Sequence, residues 1–239
     1  MNYLELGRRF TDESGATNVN LTTMTGQKGE SRRFTQWIAQ AWNEIQTLHD
    51  DWEWMRKSNL MGSGVSFVPA PGQAYIPLGV TPDTIGLDID DFGGKWCIDS
   101  FRNYSTDAGP RSEIFMTEIS YDWWRDSYMY GANRFVQTRP VVIGIAPDKG
   151  LCIGPPSNGL YTVTGDYYRS PTVMVADTDV PLGLPKKYHM AIVFKAMTYY
   201  GSYEAAPEVQ GRGEEGFDQL IRELEAYYGP RVVMGGALA

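Results

Sequence analysis

The sequence has few of the residues on which metal sites, disulfide frameworks and most hydrolases depend. Its 239 residues include two cysteines and two histidines. Cys97 and Cys152 lie far apart without a second pair of ligands, so we expect two free, buried thiols rather than a zinc site or a disulfide. His49 and His189 fall within predicted helices beside aromatic residues, which favours a structural role for each imidazole over a catalytic one.

Long apolar runs and a surplus of positive charge are also missing. No stretch of about eighteen apolar residues occurs and no signal peptide is apparent, so the sequence predicts no membrane span and synthesis in a cytoplasm. Acidic residues exceed basic residues by 29 to 21, which gives a net charge of −8. Such a chain is poorly suited to gripping phosphate backbones, although an acidic lining would let DNA slide past without sticking.

Catalytic and cation-binding motifs are not found either. No Gly-x-Ser-x-Gly motif occurs, and neither histidine has a serine or cysteine motif nearby. Asp83, Asp88, Asp90 and Asp91 are crowded enough to suggest a Ca²⁺ loop, but their order does not match an EF-hand and a solvated loop is favoured. We therefore expect no enzyme activity, no cofactor and no metal.

The stretch around which the chain is organised is a predicted amphipathic helix over residues 29–55. Its apolar positions recur at intervals of three and four residues, which places them on one face, while the other face is polar. The predicted core residues of this helix are Phe34, Trp37, Ile38, Trp42, Ile45 and Trp52. An apolar stripe of this length needs other helices to cover it.

Further helices are predicted over 4–12, over 186–203 and toward residue 228. Pro207 and the glycines at 211 and 213 are expected to end the helix over 186–203 and to separate it from the last helix. The predicted core residues of these two helices are Ile192, Phe217, Leu220 and Leu224.

The middle of the chain alternates apolar and polar residues and is divided by Gly and Pro turns, which is typical of antiparallel strands. Ser120 is predicted to cap a short helical turn in this region. The predicted strands are 65–68, 73–78, 84–89, 95–101, 113–119, 141–145, 151–153, 160–169 and 172–175.

These elements predict an α+β fold, in which a helical bundle built from N-terminal and C-terminal helices carries an inserted antiparallel β domain. The expected domains are 1–58 for the N-terminal helical part, 59–180 for the β domain, 181–229 for the C-terminal helices and 230–239 for a C-terminal arm.

Two segments have open interpretations. The aromatic cluster of Tyr121, Trp123, Trp124, Tyr128 and Tyr130 has the content of a sugar-stacking platform, but a core or interface cluster is favoured. The apolar C-terminal arm is either a frayed tail or a segment that orders by docking on another protein. The candidate docking residues of the arm are Arg231, Val232, Val233, Met234 and Leu238.

Taken in order, several short patterns resemble the head-to-tail adaptor (connector) proteins of tailed bacteriophages. The first are Thr25-Gly26-Gln27-Lys28-Gly29-Glu30, Trp37-Ile38-x-x-Ala41-Trp42-x-x-Ile45-Gln46 and Asp51-Trp52-Glu53-Trp54-Met55-Arg56. The later ones are Asp166-Tyr167-Tyr168-Arg169-x-Pro171, Asp179-Val180-Pro181-Leu182-Gly183-Leu184-Pro185, Tyr188-His189-Met190-Ala191-Ile192-Val193 and Tyr203-Glu204-x-Ala206-Pro207-Glu208. The resemblance spans most of the chain and is weakest over about 90–140.

The resemblance implies a structural virion protein that forms a ring, usually dodecameric, beneath the portal protein. In that family the helical bundle forms the ring body, the β domain projects toward the tail, and the C-terminal segment often reaches into the portal. The implied partners are the portal, a downstream tail or stopper/nozzle protein, and further copies of the chain. Genomic DNA would pass through the lumen without specific binding.

Two other classes of function remain open. A tail-associated carbohydrate- or receptor-binding module would need Trp123 and Trp124 exposed on one flat face. An enzyme, such as a virion-associated cell-wall hydrolase, would need two carboxylates that converge in a cleft.

Overall fold

The structure is a computed structural model that describes residues 1–16, 21–81 and 83–229. It is a mixed α+β structure, with five α-helices in the described residues, which confirms the predicted class at that level. The chain folds into two compact units. Met1–Trp54 and Pro171–Ala239 form a helical unit, and Met55–Ser170 form a β-rich unit.

Helix α1 spans Tyr3–Ser14, close to the predicted 4–12. The Asn2 side chain accepts a hydrogen bond of 2.8 Å from the Glu5 N–H, and the Glu5 carboxylate accepts one of 3.0 Å from the Asn2 N–H. This capping box satisfies amide groups that a helix start leaves without partners. Gly15 ends the helix in the left-handed conformation, with φ of 74°.

Helix α2 spans Gly29–Thr47, so the prediction of a helix over 29–55 is wrong at its C-terminal end. The chain leaves the helix after Leu48 and Trp52 folds back, where its indole N–H donates a hydrogen bond of 2.9 Å to the Ile45 carbonyl. This bond satisfies one of the carbonyls that a helix end leaves free. Trp52 is fully buried without being helical.

Helices α4 (His189–Tyr203) and α5 (Pro207–Tyr228) form the C-terminal part of this unit. The predicted end of the first of these helices at Tyr203 is confirmed, but Pro207 and the glycines at 211 and 213 do not form the interruption, because Pro207 is the first residue of α5 and both glycines lie inside it. Proline is accepted there because the first N–H groups of a helix have no helical partner.

Helix α4 packs against α1, α2 and α5. Its contact with α5 is close enough to require glycine on both sides. A Cβ added at Gly213 would lie 2.8 Å from the Phe194 backbone oxygen, and one added at Gly201 would lie 2.5 Å from the Gln210 nitrogen. The glycines therefore set how closely the two helices approach.

The predicted core residues of the helical unit fall into two groups. Seven are at most 1% exposed, namely Phe34, Ile38, Trp42, Ile45, Trp52, Ile192 and Leu224. Trp37, Phe217 and Leu220 are only partly buried. The described chain therefore covers most of the α2 stripe and leaves part of α5 accessible.

The β-rich unit contains two sheets. The first comprises β1 (Arg56–Lys57), β2 (Val65–Phe67), β4 (Phe92–Ser105), β5 (Ile114–Phe115) and β9 (Tyr161–Arg169). The second comprises β3 (Tyr75–Ile76), β6 (Thr117–Glu118), β7 (Val142–Ile145) and β8 (Leu151–Gly154). Strand β9 is central to the first sheet because it pairs antiparallel with β1, β2 and β4.

Within this unit, one pairing differs from the antiparallel prediction. Strands β6 and β7 are parallel, in a second sheet ordered β3-β8-β7-β6. The predicted strand over 84–89 is also wrong. Gly86 takes a left-handed φ of 79°, and this stretch contributes a single isolated bridge between Gly79 and Leu87.

The predicted strand over 172–175 is wrong because side chains take its backbone hydrogen bonds. The Thr172 N–H donates to the Gln46 Oε1 at 2.8 Å, and the Val175 N–H donates to the Asp179 Oδ2 at 2.7 Å. A segment whose amides are satisfied by side chains has no need of a neighbouring strand.

Candidate functional site

The aromatic cluster lies on a short helix that follows β6. Helix α3 spans Tyr121–Trp124, and the Ser120 hydroxyl accepts a hydrogen bond of 3.3 Å from the Trp123 N–H, which confirms the predicted cap. A π-helical turn, Arg125–Met129, continues the helix.

The two neighbouring tryptophans have different environments. Trp124 is 2% exposed, and its indole N–H donates a hydrogen bond of 2.8 Å to the Ile153 carbonyl. Trp123 is 52% exposed. Successive residues of a helix point in different directions, so the two indoles cannot form one flat exposed face. The carbohydrate-binding hypothesis required both tryptophans on one exposed flat face, and in the structure these two residues do not form such a face.

Beside Trp124 the structure contains a cleft of about 500 Å³, which we call the aromatic cleft. Its lining is largely aromatic and apolar, with one carboxylate and one guanidinium. The lining residues are Tyr75, Tyr121, Trp124, Arg125, Met129, Tyr130, Ala146, Pro147 and Asp148. The Tyr121 and Trp124 rings are stacked, with centroids 5.9 Å apart. A cleft of this size and character is within the range of ligand sites.

The carboxylate of the aromatic cleft belongs to Asp148. It accepts hydrogen bonds from the Tyr75 hydroxyl and, at 3.2 Å, from the Gly150 N–H. Burial, with a further contribution from Asp148, raises the pKa of Tyr75 to about 12. The phenol therefore stays protonated at neutral pH and remains a donor to the carboxylate.

The guanidinium of the aromatic cleft belongs to Arg125, which is already paired. It lies 3.2 Å from the Asp122 carboxylate and 3.1 Å from the Asp126 carboxylate. These contacts raise the pKa of Arg125, with the Asp126 hydrogen bond as the largest cause. Because Asp122 and Asp126 already pair with this guanidinium, the Asp148 carboxylate is the one lining charge of the cleft that forms no ion pair within the described residues.

A second feature is a tight loop between β1 and β2 that presents two apolar side chains to solvent. Leu60 is 96% exposed and Met61 is 86% exposed, and we call this the apolar loop. The buried carboxylate of Asp166 holds it, because Oδ1 accepts a hydrogen bond of 2.9 Å from the Asn59 N–H and Oδ2 pairs with Arg56 at 2.7 Å. Contiguous exposed apolar surface often marks protein contact sites, and these two adjacent side chains are a candidate for one.

Sequence reasoning did not identify the apolar loop or the contribution of Tyr75 and Asp148 to the aromatic cleft. The loop had a signal, because Leu60 and Met61 stand between turn residues and match neither a helical nor a strand period. Tyr75 and Asp148 had none, since only the pairing of β3 with β8 brings them together.

The two histidines lie in the helical unit. The Nε2 of His189 lies 3.0 Å from the Leu184 carbonyl, and its Nδ1 lies 2.7 Å from the Met1 ammonium. Burial lowers the pKa of His189, which is consistent with a neutral ring that donates at one nitrogen and accepts at the other. His49 Nε2 lies 3.0 Å from the Glu225 carboxylate.

Both cysteines are free, as predicted. Burial raises the pKa of Cys97, and burial raises that of Cys152 to about 12. A thiol reacts as its thiolate, so these pKa values predict low reactivity at neutral pH. Cys152 is fully buried, whereas Cys97 is partly exposed.

The expectations about a metal site, a membrane span and the C-terminal arm can be compared with the described residues only. In residues 1–16, 21–81 and 83–229, no group of three or more His, Cys, Asp or Glu side chains could hold a metal ion. None of the described helices combines the length and apolar character needed to cross a bilayer. The candidate docking residues Arg231, Val232, Val233, Met234 and Leu238 lie outside the described residues.

The two surface features described above, the apolar loop and the aromatic cleft, are of kinds that proteins use to contact partners or ligands. A family model described as SU10 adaptor protein matches residues 1–234. The chain belongs to this family of phage head-tail adaptors, as the resemblance noted in the sequence indicated. A search of curated proteins found no significant match.

Proposed function

We propose that the protein is a head-to-tail adaptor that forms a ring, usually dodecameric in such proteins, beneath the portal of a tailed phage. The family match over residues 1–234 carries this proposal, because it extends through both units. The ring would join capsid to tail, and its lumen would line the path of the DNA. In this proposal the protein acts in the virion, without catalysis or a cofactor.

In the proposed ring, the helical bundle is the ring body and the β domain is an insertion that projects toward the tail. The order of the chain supports this division, since the helical unit is built from residues on both sides of Met55–Ser170. The apolar side chains of Trp37, Phe217 and Leu220 are candidates for contacts between neighbouring ring bodies, because the described residues cover them only in part.

The apolar loop is the candidate contact with the next tail or stopper/nozzle protein. A Leu60→Ser/Met61→Ser double variant should fold normally, because both side chains are almost fully exposed. It should form portal–adaptor complexes but recruit less of the tail component. The matched control is Val80→Ser, a change at a 70% exposed apolar residue of the same unit. If the double variant recruits the tail component as well as the wild type does, the apolar loop is not part of that interface.

The C-terminal arm is the candidate contact with the portal. Residues 230–239 are largely apolar, and a segment too short to build a core contributes free energy only through a partner. Deletion of 230–239 should therefore leave the far-UV circular dichroism and melting temperature unchanged and abolish docking on the portal. Normal docking by the truncated protein would refute this assignment.

Passage of DNA without adhesion is supported by the net charge of −8. Proteins that bind DNA tightly neutralise phosphates with Lys and Arg, which this chain has in deficit. We expect no binding of duplex DNA in a filter or gel-shift assay at about 0.15 M salt. Tight binding that weakens steeply with added salt would contradict an inert channel.

The experiment that tests the adaptor function is a mass measurement by light scattering or mass photometry, on the protein alone and mixed with its portal ring. The expected result is either a ring in isolation or a stoichiometric collar that forms on the portal. A monomer that remains indifferent to the portal would overturn the proposal.

A further inference from the structure

We propose that the aromatic cleft is a receptor for an arginine side chain of a partner protein. The inference concerns a surface other than the apolar loop and the C-terminal arm. It does not depend on ring formation or on portal docking, so the two proposals can fail separately.

The aromatic lining is the first argument. Four rings border the cleft, those of Tyr75, Tyr121, Trp124 and Tyr130. Aromatic rings attract cations electrostatically, and a planar guanidinium can also stack on them. The stacked pair of Tyr121 and Trp124 gives this wall a fixed shape, because Trp124 is anchored through its indole N–H.

Charge complementarity is the second argument. Arg125 is the only cationic side chain among the lining residues, and two carboxylates, Asp122 and Asp126, already pair with it. The carboxylate of Asp148 lines the cleft and accepts a hydrogen bond from the Tyr75 hydroxyl. A carboxylate oxygen can accept more than one hydrogen bond, so Asp148 can also receive the forked donors of a guanidinium.

The apolar lining is the third argument, and it favours arginine over lysine. Met129 and Ala146 offer surface to the methylene stem of a long side chain. A guanidinium is less strongly hydrated than an ammonium. It therefore loses less hydration free energy when it enters such a cleft. The same geometry disfavours sugars, since the Trp124 indole N–H and the Tyr75 hydroxyl already donate to protein oxygens.

The test uses the full chain and three probes in isothermal titration or ligand-observed NMR. These are N-acetyl-leucyl-arginine amide, the same dipeptide with citrulline, which is neutral and nearly isosteric, and free arginine. We expect the arginine dipeptide to bind about tenfold more tightly than the citrulline dipeptide, as loss of a cation–π and charge-assisted contact predicts. Free arginine should bind more weakly than the dipeptide, because its free carboxylate brings a second negative charge to a cleft that already contains the Asp148 carboxylate.

Two variants localise the site. Asp148→Asn removes the charge from an exposed side chain and should weaken binding of the arginine dipeptide by about threefold to fivefold, less than the change to citrulline does, because the cation–π contact remains. Trp123→Ala, a change at an exposed aromatic residue that does not line the cleft, should leave binding unchanged. Circular dichroism checks that both variants fold.

Several results would overturn the proposal. Equal binding of the arginine and citrulline dipeptides would show that charge is not recognised. An Asp148→Asn variant with normal affinity would place the arginine elsewhere. Tighter binding of free arginine than of the dipeptide would assign the cleft to a small molecule, and binding of methyl glucosides in place of arginine would assign it to sugars.

Discussion

The contact between α4 and α5 allows a prediction with an internal control. Gly213→Ala adds a methyl group at a buried position, where it would lie 2.8 Å from the Phe194 oxygen, 3.0 Å from the Thr198 nitrogen and 3.1 Å from the Met197 Cβ. Two of these atoms belong to the backbone of α4 and cannot rotate away. Gly211→Ala adds the same methyl group two residues earlier, where nothing lies within 4 Å.

The expected effects have opposite signs. Replacing glycine by alanine inside a helix stabilises it by about 0.5–1 kcal/mol, and this gain applies to both variants. Overpacking at Gly213 costs about 1–3 kcal/mol, so the two variants should differ in the free energy of unfolding by that amount. Gly211→Ala should be more stable than the wild type, and Gly213→Ala should be less stable.

The assay is urea unfolding followed by circular dichroism at 222 nm, which reports on the helical unit. The urea midpoint should rise for Gly211→Ala and fall for Gly213→Ala. If both variants are stabilised equally, the helices do not approach as closely as the structure describes, and the reasoning from glycine contacts fails.

Three further predictions concern the buried groups. Trp42→Ala should destabilise the helical unit by about 3–5 kcal/mol, because Trp42 is 1% exposed; a melting temperature equal to that of the wild type would exclude it from the core. His189 has a lowered pKa, so its contribution to stability is present above about pH 6.5 and is lost as the pH falls through its folded value. Between about pH 7 and pH 5, the melting temperature of the wild type should therefore fall by more than that of His189→Gln. Identical pH profiles for the two proteins would contradict a role of His189 in this pH dependence. In a native thiol assay at pH 7, Cys97 should react slowly and Cys152 should react only after unfolding, whereas rapid modification of both would contradict the raised pKa values.

The sequence predicted best where periodicity alone decides burial. The α2 stripe is a long repeat of apolar residues at helical spacing, and Phe34, Ile38, Trp42 and Ile45 are buried as that repeat requires. The end of α2 was not predictable, because the position of Trp52 depends on a tertiary hydrogen bond to the Ile45 carbonyl.

Predictions failed where a residue type has two opposite uses. Proline and glycine are helix breakers in most contexts, yet Pro207 begins α5 and Gly213 lets α5 approach α4. The segment 172–175 has the composition of a strand, but the Thr172 amide donates to the distant Gln46 side chain and the Val175 amide to the nearby Asp179 side chain. The local pattern carries no information about a distant partner such as Gln46.

At the candidate site too, the local sequence pattern did not predict contacts between residues that are distant in the chain. Sequence identified α3 and its cap at Ser120 correctly, since both depend on neighbouring residues. It could not tell that Trp124 turns inward to the Ile153 carbonyl while Trp123 stays exposed. The aromatic cleft also depends on Asp148, which the sequence places far from Tyr75.

The discontinuity of the helical unit has a consequence for how the protein is made. Residues 1–54 leave the ribosome before the β-rich unit, but α4, which packs on α1 and α2, begins only at His189. At a synthesis rate of about 5–20 residues per second, the apolar face of α2 waits on the order of ten seconds for its cover. The β-rich unit can fold during that interval, so we expect it to be complete before the helical unit, although residues 1–54 of the helical unit are synthesised first.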